Sequence, residues 1–391
     1  MRPPVIRLGG IYAAYFAALG ILVPFWPLYL EAQGYRPLEI GALMAIVPAT
    51  KVLSPAFWGW VADRRGQLLP LIRWCSFLAW ASLAGLPWLG TGPERVGLAL
   101  VSFGFFWNGS LPLVETLTLA HLRGRGGYGR VRLWGSVGFA VTVGVGGVLL
   151  GEALPLSQVP MLTSVLLFGQ WLMALSLPGS SGVPQTPTVT PSFVALLAKP
   201  AVLTFFLAAL LSQLAHGPYY AFYSLYLKAS GHSDARIGEL WALGILAEVV
   251  LFALMDRLER QFGIRFLFLA GLIACTLRWP LMAGYPDQTA VLVVAQLLHA
   301  GSFGLMHATA IALVHRHFPG RHHALGQALL SALVYGLGGA LGSLFSGVLW
   351  DLWPAFWVFT AASGLSLVAL MVAWPWVGRV DPIPASASAG G

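Results

Sequence analysis

Apolar residues run along this chain in blocks of membrane-spanning length, separated by short polar breaks. A helix crossing a bilayer needs about 20 apolar residues. By that rule the blocks lie at roughly 8–30, 38–61, 68–89, 96–120, 132–152, 158–177, 199–227, 236–255, 264–284, 289–313, 325–350 and 354–377. Twelve membrane helices are therefore predicted. The stretch Gly179 to Pro191 is polar, proline-rich and short, and reads as a flexible linker. It divides the chain into a six-helix bundle over 1–177, a cytoplasmic linker over 178–198 and a second six-helix bundle over 199–380. Residues 381–391 have a disordered composition. The fold class is thus an all-α membrane protein of two six-helix pseudo-symmetric bundles.

The two parts share a pattern. Ala32, Gly34, Ile40, Gly41, Leu43 and Ala45 recur 197 positions later as Ala229, Gly231, Ile237, Gly238, Leu240 and Ala242. In that register Lys51 falls on Glu248, placing opposite charges at matching positions. A charged hairpin follows each: Gly59 to Gly66, then Asp256 to Arg260.

Composition agrees with a lipid solvent. The chain is 58% hydrophobic and 9% charged, against about 25% charged in soluble domains. Its formal net charge of +8 raises the question of nucleic acid, but the distribution answers it. With both termini cytoplasmic, sixteen of the Lys and Arg residues fall on the cytoplasmic side, four on the other, and Lys51 and Arg278 within the membrane. The positive-inside rule then fixes N-in and C-in and accounts for the charge without nucleic acid. Arg2 and Arg7 precede an apolar run with no small-residue cleavage site, so the first segment is an uncleaved membrane helix. Cys75 and Cys275 lack partner spacing and read as packing residues. The run from His315 to His323 has no acid or Cys partner and reads as a solvated loop, so no metal site is expected.

Ionisable groups inside a membrane are costly and mark function. The clear set is Lys51, Glu115, Glu248, Arg278, His299 and His307, with His216 and Glu239 weaker members. At about 1.5 Å rise per residue, Lys51, Glu248, Arg278 and His299 reach the midplane. Twelve helices, a twofold repeat and a midplane charge cluster are what a secondary transporter needs. A buried carboxylate there can carry a proton, because burial and a nearby cation pull its protonation in opposite directions. The bland alternative is a fixed ion pair that locks helices together. Aromatic stripes stand beside the charges: Phe25, Trp26 and Tyr29 in the first segment, Phe105, Phe106 and Trp107 in the fourth, and Tyr219, Tyr220, Phe222, Tyr223 and Tyr226 in the seventh. Segments one, four, seven and ten are pseudo-equivalent and would line one cavity, which suits a ring-bearing solute.

Gly59-Trp-Val-Ala-Asp63-Arg64-Arg65-Gly66 resembles the loop 2–3 signature of the major facilitator superfamily, departing from it at Val61 and after Gly66. Within that superfamily the chain is similar to the 3-phenylpropionic acid transporter group, relatives of lactose-permease-type proton symporters. The carriers are Pro24 to Leu30, Tyr128 to Gly135, His216 to Tyr220, Ile237-Gly238 with Trp241 to Gly244 and Glu248, and His299 to His307. The resemblance implies that Glu115 pairs with Arg130 or Arg132, and that Glu248, Arg278 and His299 form the coupling set. The acid that such symporters carry three residues after the histidine is here Ser302. Proton coupling then falls to Glu248 or Glu115, with His299. Lys51 and Arg278 are the expected partners of a substrate carboxylate. Asp63, Arg64 and Arg65, between Gly59 and Gly66, would form a conformational latch.

The expected function is proton-coupled symport of a small organic solute, an aromatic acid favoured, across a bacterial inner membrane. Alternatives are symport of a sugar or nucleoside, efflux of a drug or metabolite, and a solute sensor. No loop offers a catalytic cluster, so an enzyme is not expected. The resemblance implies no cofactor beyond the proton gradient. Protons, the solute and membrane lipid are the expected partners, and the protein is expected to act as a monomer.

Overall fold

The structure is a computed structural model that describes residues 4–90, 92–122, 127–179, 196–319 and 322–378. Most of the expected linker and the tail, with Arg2, Arg123, Arg125, Arg321 and Arg379, lie outside the described residues. Helices account for the architecture, with no strand among the described residues. The N-terminal helices are α1 (Val5–Ala32), α2 (Pro37–Thr50), α3 (Ser54–Arg65), α4 (Leu68–Ala84), α5 (Pro93–Leu122), α6 (Tyr128–Glu152) and α7 (Val159–Ser176). The C-terminal helices are α8 (Pro200–Ala215), α9 (Gly217–Ala229), α10 (Asp234–Gly284), α11 (Thr289–His299), α12 (Met306–His317), α13 (His322–Leu329), α14 (Gly339–Leu352) and α15 (Ala355–Ala373). Ala300–Leu305 and Leu330–Gly338 wind as looser π-helix between their neighbours. Counting α2–α3, α8–α9, α11–α12 and α13–α14 each as one run, ten spans among the described residues are long and apolar enough to cross a membrane.

Several expected boundaries move. The block 38–61 is broken at Lys51 to Leu53, between α2 and α3. Pro55 has no N–H to donate back to Lys51, so an unbroken helix would leave that bond unmade. The break frees the Val47 carbonyl, which accepts instead from Asn108 Nδ2 (2.8 Å) and Thr50 Oγ1 (2.8 Å). Neighbouring polar groups repair broken helices in lipid in this way. The seventh block bends at His216, between α8 and α9. The expected hairpin at Asp256 to Arg260 is helical, and α10 turns only at Gly263 (φ 75). The first charged hairpin is also helical as far as Arg65, and turns at Gly66 (φ 63). The block 68–89 is the shorter α4 followed by one turn at Leu86–Leu89. The histidine run is mostly helix: α12 extends to His317 and α13 starts at His322.

One apolar cluster lies within the N-terminal helices, around Ile72, Cys75 and Leu117, and one within the C-terminal helices, around Phe205, Phe268 and Leu313. A third crosses between them and includes Leu30, Ile40, Leu227 and Ile237. At that end α2 packs on α14 and α6 on α10. The contacts are made backbone to backbone. A β-carbon on Gly41 would lie 2.6 Å from Gly347 Cα, and one on Gly238 would lie 3.1 Å from Gly147 Cα. Small residues permit such approach in membranes. Gly41 and Gly238 are the repeat-related pair. At the opposite end, α3 packs on α4 and α5, and α12 on α8, α10 and α13, each within its own set of helices.

Candidate substrate and coupling site

The midplane charges of the C-terminal helices converge. Glu248 on α10, Arg278 on the same helix beyond its turn, and His299 at the end of α11 are all buried. Arg278 is 0% exposed. Its Nε donates to Ala295 O (3.0 Å), Nη2 to Gln296 Oε1 (3.1 Å), and Nη1 to His299 Nδ1 (2.8 Å) and Ser302 Oγ (3.3 Å). Its guanidinium lies 4.1 Å above the Tyr219 ring. A guanidinium only donates, so His299 Nδ1 accepts, and the neutral ring carries its proton on Nε2. That nitrogen lies 2.6 Å from Glu248 Oε1. That carboxylate oxygen makes no hydrogen bond of good geometry, so the neutral ring and the carboxylate are in close contact without forming an ion pair. The row reads Glu248, His299, Arg278: a negative end, a neutral ring and a positive end. Ser302, where an acid was the pattern, serves as one of Arg278's acceptors.

Lys51 does not pair with Glu248. It sits at the α2–α3 break, partly exposed, and forms no hydrogen bond or ion pair among the described residues. Its charge acts on His307, as does that of Arg132. Glu115 is half-buried and forms no ion pair with Arg130 or Arg132 among the described residues. Its Oε1 instead accepts from the Tyr128 hydroxyl (3.2 Å). Arg132 lies over the Phe16 ring, 4.0 Å from its centroid, and Arg130 is exposed. Arg278, expected as a substrate anchor, makes four hydrogen bonds to protein acceptors here, because a buried guanidinium must be satisfied locally.

The aromatic stripes divide. Trp26 donates from Nε1 to Thr163 Oγ1 (3.0 Å), and Tyr29 packs edge-on against it. Trp107 donates to Gln170 Oε1 (3.1 Å) and stacks on Tyr15 at 4.1 Å. Tyr219 donates to Gln296 Oε1 (3.3 Å), and Tyr223 is buried against Trp241. These five are buried packing groups in this conformation. Of the stripes, Tyr220, Tyr226, Phe105 and Phe106 remain partly exposed. Asp63, Arg64 and Arg65 are exposed. Arg64 lies over Trp60 at 4.3 Å, and no ion pair joins the three to other helices among the described residues. A β-carbon on Gly59 meets open space, and Gly66 supplies the left-handed turn.

Gln296, Tyr128 and Tyr335 were missed in the sequence. Gln296 had a signal: a polar side chain one turn before His299 in an apolar run. Tyr128 stood only as the first residue of a stretch that carries the resemblance, and Tyr335 carried no signal.

The profile described as "MFS_1 like family" matches residues 5–361. The "Probable 3-phenylpropionic acid transporter" of Escherichia coli (strain K12) is 30% identical over 371 residues, covering 92% of this chain and 93% of that protein. The "Maltose permease" of Geobacillus stearothermophilus is 28% identical, covering 92% and 91%. Among solved structures, nucleoside transporter NupG superposes with a TM-score of 0.78 at 19% identity, covering 96% of this chain and 99% of that one. A D-xylose-proton symporter gives 0.72 at 15% identity, covering 95% and 96%. The chain belongs to the MFS_1-like family of major facilitator transporters and is a multi-pass membrane protein, not an enzyme.

Proposed function

We propose that this family member is a proton-coupled symporter that imports a small organic anion, an aromatic carboxylate, by alternating access. The observation that carries the reading is the buried row Glu248, His299, Arg278. Protonating Glu248 removes the row's carboxylate charge and leaves that of Arg278. An anionic solute in the cavity then restores neutrality, so proton and solute favour each other's binding. Lys51, unpaired at the α2–α3 break, is the substrate carboxylate's partner, and the partly exposed Tyr220 is the ring that meets the solute. Glu115, held by Tyr128, is a second carboxylate available for coupling.

The topology in this reading has twelve spans. Dividing α10 at Gly263 and counting α4 reaches that number from the ten long helices. The two sets of helices are its two bundles, N-in and C-in, in a bacterial inner membrane. The end joined by Gly41 and Gly238 is then periplasmic and the parted end cytoplasmic, an inward-facing state. The exposed Asp63, Arg64 and Arg65 form a latch that engages when the cytoplasmic end closes. The proton gradient is the energy source, no cofactor is required, and the unit is a monomer.

The test is uptake of 3-phenylpropionate into proteoliposomes with an imposed proton gradient. Glu248→Gln should abolish uphill uptake while sparing exchange. Uphill uptake at the unmodified rate would refute the carrier role. External alkalinisation on adding solute is expected for import, whereas acidification would mark efflux.

Symport of a neutral sugar or nucleoside is the second reading. Gln296 Nε2 and Tyr223 OH are buried without partners, and a hydroxyl-rich solute would supply them. Maltose and uridine in the same assay separate the two readings.

A further inference from the structure

Beside the row, sharing Ser302 with it, lies a small cavity of about 20 Å³, lined among others by Ser212, Gln213, His216, Ser302, His307 and Tyr335. His216 is 1% exposed. Its Nδ1 meets Ser212 O at 2.8 Å, and a carbonyl only accepts, so Nδ1 carries the ring proton. Nε2 is therefore an acceptor, and it is buried with no partner. A cavity of this size and polarity holds one water, which needs about 10–15 Å³. That water supplies the missing donor.

The next polar group along is His307, whose Nδ1 lies 2.7 Å from the Tyr335 hydroxyl. His299, Phe303 and His307 stack in succession, at 5.5 Å and 5.8 Å. Glu248 packs on Gly304, in the same π-helical turn that gives Ser302 to the cavity. Tyr335 also lies within the field of Glu248. Further along α12 lies a groove of about 580 Å³ lined by Glu259, Ile311, His315, Arg316 and His323 among others. The histidines at 299, 307 and 315 thus recur every eight residues from the buried row to the open groove. Phe252 packs on His307 from α10, and Lys51 and Arg132 are the cations that act on it from the N-terminal helices.

We propose that His307, with Tyr335 and the cavity water, is the gate through which protons pass between Glu248 and the groove at His315. The proposal rests on Glu248 being a proton carrier. The Glu248 carboxyl O–H breaks and its proton goes to the water. The water passes a proton to Tyr335, whose own hydroxyl proton moves to His307 Nδ1. The His307 Nε2–H proton leaves to water in the groove. Glu248 ends as a carboxylate, one proton has reached the groove, and every intermediate carrier is neutral again.

The test is pH-jump infrared spectroscopy on the purified full chain, which follows the protonated carboxyl band of Glu248, assigned by its loss in Glu248→Gln. No solute is needed. His307→Phe should keep the band at equilibrium and slow its response about tenfold or more, the scale of losing a positioned proton carrier. His307→Gln and Tyr335→Phe, which preserve packing, should slow it as well. A band present with unchanged rates in folded variants overturns the gate and leaves the symport reading intact. Absence of a titrating Glu248 band overturns both.

Discussion

Gly41 and Gly347 meet so closely that a β-carbon on Gly41 would lie 2.6 Å from Gly347 Cα, and one on Gly347 would lie 2.9 Å from Gly41 Cα. This contact joins α2 to α14 at one end of the molecule. Its counterpart is Gly238 against Gly147, where Gly238 is the repeat mate of Gly41. The two glycines recur in register because each lets one set of helices touch the other.

Gly41→Leu should therefore open this end. Overpacking costs about 1–3 kcal/mol, and about 1.4 kcal/mol is tenfold in an equilibrium. A cysteine at Ser343, which is 3% exposed, should react with maleimide about tenfold faster in the Gly41→Leu background. An unchanged labelling rate would mean that the contact does not hold this end closed.

Arg278→Lys should abolish uphill uptake although the charge is kept. An ammonium cannot reproduce a fork that reaches Ala295, Gln296, His299 and Ser302 together. Stability should fall by about 3 kcal/mol or more, the scale of breaking a buried charge network. Thermal unfolding of the purified variant reads this directly. A melting temperature equal to that of the unmodified protein would contradict the network described.

The aromatic stripes should separate by assay. Trp107→Phe strands Gln170 Oε1 without its indole donor and should cost about 1–3 kcal/mol of stability. Tyr220→Ala should change stability less and raise KM for the transported solute. If Trp107→Phe altered KM while leaving the melting temperature unchanged, the packing role given to Trp107 would be wrong.

Asp63→Asn should leave the stability of this conformation within about 0.5 kcal/mol, as for exposed surface groups. It should nonetheless slow net transport if Asp63 belongs to the proposed latch, which would engage in the other access state. Melting temperature and uptake rate measured side by side test the pair of outcomes. A large loss of stability would show that Asp63 is already engaged in the state described.

The sequence alone determined the lipid solvent, the helical class, the repeat and the costly charges. Each is a property of local composition: twenty apolar residues cross a bilayer wherever they lie, and a buried ion is costly whatever its partner. Glu248, Arg278 and His299 were legible for that reason. Only tertiary structure decided who meets whom. In lipid both faces of a helix are apolar, so α1 and α5 carry no stripe that says which aromatic faces a cavity. Trp26 and Trp107 therefore looked like Tyr220 until packing gave their indoles to Thr163 and Gln170. The register that placed Lys51 opposite Glu248 was sound as a repeat, yet Pro55 breaks the helix beside Lys51, whereas α10 runs on unbroken through Glu248. Charge at equivalent positions does not fix distance. His299, two helical runs further along, is the residue that reaches Glu248.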